Sequence, residues 1–131
     1  MTAARVGMDI GATKCAVLVD HGGGRPPLAR TLPSTDWEAE PAAFGAAWID
    51  RALRSVLPGG DAVGALAVGA QGIDREETGL ELERALGALG YRSVRCVNDA
   101  GLLVPAAGLR HGIGLVAGTG AIGNGTDAGG R

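Results

Sequence analysis

Residues 62–70 read AVGALAVGA, an unbroken run of small apolar side chains with no polar residue at every second position. Alternation marks a strand with one wet face, whereas a continuous run of strand length marks one buried on both faces. Such a strand needs covering layers, and the flanking sequence offers them. From Thr35 to Leu57 the period changes to that of a helix, with Phe44, Trp48, Ala52 and Val56 four apart and Ile49, Leu53 and Leu57 one step round. Thr35 followed by Glu38 has capping-box spacing, Asp36 is an alternative cap, and Pro58-Gly59-Gly60 stops the helix. A second helix is expected from Arg75, with Leu82, Ala85, Leu86 and Leu89 on one face and Asp74 and Glu77 as a capping pair.

Strands are expected at Ala4 to Ile10, Cys15 to Asp20 and Leu28 to Leu32, separated by a tight turn and by HGGGRPP, where glycines free φ and prolines block continuation. Ser93 to Val97 reads as another strand and Asp99 to Leu109 as a short helix. Gly112 onward opens a new strand, a glycine turn and a second strand reaching about Gly125. Three hairpin strands followed by alternating helices and strands define an α/β layer. The 131 residues accommodate one domain, or one domain and part of another.

Composition narrows the functional classes. Leu, Ile, Val and Phe number 30, enough for a packed core, but that core must be built from small aliphatics, since Trp37, Phe44, Trp48 and Tyr91 are the only aromatics. Stacking platforms for single-stranded nucleic acid are thereby excluded. A net charge of −2 leaves no electrostatic footprint for a nucleic-acid backbone or an anionic membrane, so an anionic ligand must be held locally. Cys15 and Cys96 lack C-x-x-C spacing and read as reduced, buried thiols, and His21 and His111 as loop residues without clustered ligands. The N-terminus lacks the apolar stretch of a secretory signal, and no run approaches a membrane span, so the expectation is a soluble, cytoplasmic protein.

Three corners carry candidate chemistry. Asp9-Ile10-Gly11-Ala12-Thr13-Lys14 places a carboxylate at the end of a buried strand, then a turn with backbone N–H groups and a hydroxyl. Such a turn can cradle phosphate while the acid holds metal-bound water, although an ordinary hairpin turn uses the same residues. Gly118-Thr119-Gly120 is a second turn of this kind, equally compatible with a hairpin tip. Asn98-Asp99 lies where a strand gives way to a helix, a position for a general base in a cleft or for a simple N-cap.

The order of these corners resembles the sugar kinase, heat-shock chaperone and actin superfamily. Within it, MDIGATK (8–14), GAQGIDREE (69–77), VNDA (97–100) and GIGLVAGTGAIGNG (112–125) are similar to the BadF/BadG/BcrA/BcrD-type ATPase family, which includes N-acetylglucosamine and glucosamine kinases. The resemblance implies a ribonuclease H-like (actin-like ATPase) lobe over 1–110, with a mixed five-stranded sheet flanked by helices, and the opening β-hairpin of a truncated second lobe over 111–131. It implies ATP and Mg²⁺ as cofactors and an amino sugar as substrate. Gly11, Ala12, Thr13 and Lys14 would form one phosphate loop and Gly118, Thr119 and Gly120 the other. Asp9 would hold Mg²⁺ through water and Asp99 would be the catalytic base, with Asp36, Gln71, Gly72, Asp74 and Asn98 on the sugar side. Gln71 stands where a small residue is expected, and the implied adenosine-binding segment lies beyond this sequence, so little turnover is expected of the isolated chain. The open edges of the last hairpin offer a route to a homodimer. Other readings are a ROK-type glucokinase-like lobe, an activator ATPase of an acyl-CoA dehydratase or reductase, whose cluster-binding cysteines are absent from VAGTGAIG, and a non-catalytic interaction module.

Overall fold

The computed structural model describes residues 3–57 and 62–98 in full, and the backbone of the strands at 112–117 and 121–126. Strands β1 (Ala4–Ile10), β2 (Lys14–Asp20) and β3 (Leu28–Pro33) form an antiparallel meander, followed by α1 (Ala42–Val56), β4 (Val63–Ala70), α2 (Glu76–Ala88) and β5 (Val94–Asn98). The sheet order is β3-β2-β1-β4-β5, with β4 parallel to both β1 and β5. The described residues therefore form an α/β fold, a mixed five-stranded sheet flanked by two helices. Strands β6 (Gly112–Ala117) and β7 (Ala121–Thr126) pair antiparallel as a separate two-stranded sheet, matching the hairpin expected there. The helix expected from Asp99 to Leu109 lies outside the described residues.

Strand alternation sets the core. Val6, Met8 and Ile10 lie opposite Val19, Val17 and Cys15 on β2 and opposite Leu66, Val68 and Ala70 on β4, so all nine share one face. Trp48, Ile49 and Leu53 of α1 and Leu82 and Leu86 of α2 join them in a single buried cluster. In β4, Leu66 to Ala70 is buried at five successive positions, as the continuous run demands, while Val63 to Ala65 is only partly covered. Cys15 and Cys96 are buried free thiols. Burial, then the neighbouring charge of Asp9 or Glu83 respectively, pushes each up to about 12, so both stay protonated and inert at neutral pH.

Helix α1 starts later than its periodicity suggested. Neither Thr35 nor Asp36 caps it; the N-cap is Pro41, with φ −64° and ψ 155°. A helix entered at residue 36 would bury Pro41 in its interior, where the ring removes an i→i−4 hydrogen bond and forces residue 40 out of the α region. The segment before Pro41 instead becomes a structured corner. Phe44, in the first turn of α1, is 43% exposed, so the inward face begins at Gly45 and Ala46 and continues through Trp48 and Ile49. Likewise Asp74 does not cap α2, whose N-cap is Arg75 without a side-chain bond. Leu89 is 50% exposed because α2 has already ended at Ala88.

Tyr91 fastens the α2–β5 connection to α1 by donating its hydroxyl to Asp50 Oδ1 at 2.7 Å, while Arg54 donates to Oδ2 at 2.9 Å. Burial pushes the Asp50 carboxyl up, but these two donors outweigh it and hold the group below its usual range. Among the described residues no helix is long and apolar enough to cross a membrane.

Candidate functional site

Because β1, β4 and β5 run parallel, their carboxy-terminal ends lie along one edge of the sheet. Ile10, Ala70 and Asn98 are in register there, one step beyond Asp9, Gly69 and Val97. At about 4.8 Å per strand, the end of β1 stands about 10 Å from the end of β5, a span suited to a small ligand. Asp9 is 2% exposed, at the floor of this edge. Above it, Gly11 N–H donates to Lys14 O at 2.9 Å, closing a two-residue hairpin whose tip is Ala12 and Thr13. Ala12, Thr13 and Lys14 are exposed. The groups this turn offers an anion are thus the tip amides, the Thr13 hydroxyl and the Lys14 ammonium, whereas Gly11 N–H is committed to closing the turn.

Two further loops meet this turn. Ser34, immediately after β3 and 2% exposed, donates its hydroxyl to Gly11 O at 2.7 Å and its N–H to Thr13 O at 3.0 Å. Trp37 N–H donates to Ser34 O at 3.0 Å, and Trp37 Nε1–H reaches across to Gln71 O at 2.9 Å. Gln71 N–H in turn donates to Ile10 O at 2.9 Å. Of these five bonds, the four other than Ser34 N–H to Thr13 O close a ring with the Ile10–Gly11 peptide, through the β1–β2 turn, the β3–α1 corner and the β4–α2 turn. Gly72, with φ +89°, turns the chain directly after Gln71, and a Cβ there would lie 3.3 Å from that of Ala39. Glu40 completes the corner by accepting from Thr78 Oγ1 at 2.9 Å.

The sugar-side candidates divide. Gln71, Gly72, Asp74 and Asn98 are all exposed at the carboxy-terminal edge, and Asn98 Nδ2 donates to Asp74 Oδ1 at 3.4 Å. Asp74 and Asn98 also line a cleft of about 570 Å³ between α2 and β5. Asp36 faces the other way, accepting from Trp48 Nε1 at 2.9 Å and lining a shallow depression with Arg51 and Ser55. Trp37 and Trp48 are core residues, packed edge to face with centroids 5.3 Å apart. Asp99, Gly118, Thr119 and Gly120 lie outside the described residues. Among the described residues no group of three or more His, Cys, Asp or Glu converges on a metal position. A single carboxylate fits only a cation that keeps most of its water, which is the habit of Mg²⁺.

Sequence reasoning missed the joining role of Ser34. Its only signal was its place directly after the strand that pairs with β2, where a small hydroxyl can reach back to the preceding hairpin. Comparison with known proteins finds no matching family model and no matching curated protein.

Proposed function

We propose that this chain is the lobe of an ATP-dependent amino-sugar kinase that receives the nucleotide phosphates and the sugar, with a ribonuclease H-like (actin-like ATPase) fold. The observation that carries the reading is the buried Asp9 at the end of β1, beneath an exposed Ala12-Thr13-Lys14 turn, on the edge where β4 and β5 also end. Ligands of open α/β sheets bind outside the carboxyl ends of the strands. The sheet order, with an antiparallel meander leading into parallel β4 and β5, supports the fold assignment.

Phosphoryl transfer needs positioning and neutralisation of charge more than covalent help from the protein. In this reading the amides of Ala12 and Thr13, the Thr13 hydroxyl and the Lys14 ammonium hold phosphate oxygens. Asp9 orients water around Mg²⁺, and the ion neutralises charge on the transferred group when bound. Gln71, Asp74 and Asn98 offer amide and carboxylate groups to a polyhydroxylated ring, and Asp99 accepts the proton of the attacking hydroxyl. Gly118 to Gly120 supply the second phosphate turn.

Calorimetric titration of the chain with ATP, with and without Mg²⁺, tests the reading. The expected result is weak, Mg²⁺-dependent binding that Asp9→Asn abolishes while the variant keeps its far-ultraviolet spectrum. Absence of any nucleotide heat, or equal binding by Asp9→Asn, would sink it.

A further inference from the structure

The ring of hydrogen bonds points beyond ligand contacts. Its two connecting residues, Ser34 and Trp37, are 2% and 8% exposed, so their bonds to Gly11 O and Gln71 O are partly shielded from water, which strengthens them. Without Ser34 and Trp37, the β1–β2 turn and the β4–α2 turn would share only the bond from Gln71 N–H to Ile10 O, and surface loops held by so little open at low free energy. Here both are tied to one buried corner, Gly11 and Thr13 through Ser34 and Gln71 through the Trp37 indole. Trp37 in turn is held edge to face by Trp48, so the corner cannot shift without disturbing the core.

We propose that Ser34 and Trp37 are positioning residues that lock the Gly11–Lys14 turn to the Gln71–Gly72 turn, so that the two open and order as one unit. Naming these turns the phosphate side and the sugar side rests on the function proposed above; the locking does not. Its consequence for that function is reciprocal coupling, since order imposed at one turn by a ligand is transmitted to the other, and linkage makes the effect equal in both directions.

Native-state hydrogen exchange followed by nuclear magnetic resonance tests the lock. In the unsubstituted chain, the Gly11 and Gln71 amides are expected to share one opening equilibrium. Trp37→Phe keeps an aromatic ring against Trp48 but removes the indole donor, and is expected to speed exchange at the distant Gly11 amide about fivefold. Ser34→Ala is expected to do the same at Gln71. Ser55→Ala, which removes a hydroxyl bond to Ala52 O within α1, should change neither. A merely structural role would raise exchange throughout the sheet in proportion to lost stability, so the ratio to core amides of β4 is the readout. Unequal opening of Gly11 and Gln71 in the parent chain, or remote amides that move no more than the β4 core, would overturn the proposal, even where a variant folds poorly. The same samples titrated with Mg²⁺–ATP separate the two claims. Locked turns without nucleotide binding would refute the kinase reading alone, and nucleotide binding with unlinked turns would refute the lock alone.

Discussion

Replacing Trp48 by alanine is expected to lower folding stability by about 3–5 kcal/mol, the range for removing a buried tryptophan from a core. Trp48 is 5% exposed and belongs to a core built, apart from Trp37, Met8 and two cysteines, of Ala, Val, Leu and Ile. Small neighbours cannot move in to close the gap, so the cavity adds to the lost transfer energy. The substitution also strips Trp37 of its edge-to-face partner and Asp36 of the indole donor. Asp36 is exposed and rehydrates, so the polar loss is minor, and Trp48→Phe, which retains most of the apolar volume, should cost only about 1–2 kcal/mol. Urea midpoints of the two variants measure the difference. A loss below about 1 kcal/mol for alanine would show that Trp48 is not packed in the core beside Trp37.

Gly79→Ala is expected to destabilise by about 2 kcal/mol although it improves helix propensity. Gly79 sits in α2 where the helix passes closest to β5, and a Cβ there would overlap the Cys96 carbonyl oxygen, a backbone atom that cannot swing aside. Helix and strand would have to part, breaking the bond from Cys96 N–H to Glu83 Oε2 as well. The overlap outweighs the roughly 1 kcal/mol that alanine normally gains over glycine in a helix. Gly87, two turns further along the same helix, provides the internal control, because a Cβ there meets nothing within 4 Å. Gly87→Ala should therefore stabilise by about 0.5–1 kcal/mol. Equal effects of the two substitutions, measured by chemical unfolding, would show that α2 and β5 do not approach as closely as described.

The strands were legible because their signals are local and redundant. Runs of apolar residues ended by Gly11, by HGGGRPP and by Gln71-Gly72 place every strand of the larger sheet within a residue or so of its observed span. The start of α1 was not, because a capping-box spacing at Thr35 competed with Pro41 and Pro41 won. The Asp9–Lys14 corner could be read as a candidate site from its residue types alone. The ring around it could not: Ser34 meets Gly11 across 23 positions and Trp37 meets Gln71 across 34, and the acceptors are backbone carbonyls, which carry no sequence signature. Asp36 and Asp74 show the same limit. Both looked equally suited to capping or to ligand contact, and the fold used one for Trp48 and the other for Asn98.

Substituting Mn²⁺ for Mg²⁺ in the complex with ATP addresses the location of the nucleotide directly, because the paramagnetic ion broadens amide resonances according to their distance from it. Broadening greatest at Ile10, Ala12 and Thr13 and spreading to Gln71 and Asn98, with Arg5, Gly22 and Val63 at the opposite edge unaffected, is the result expected of a phosphate site at the carboxy-terminal edge of the sheet. Broadening centred on that opposite edge, or spread evenly over the surface, would contradict it.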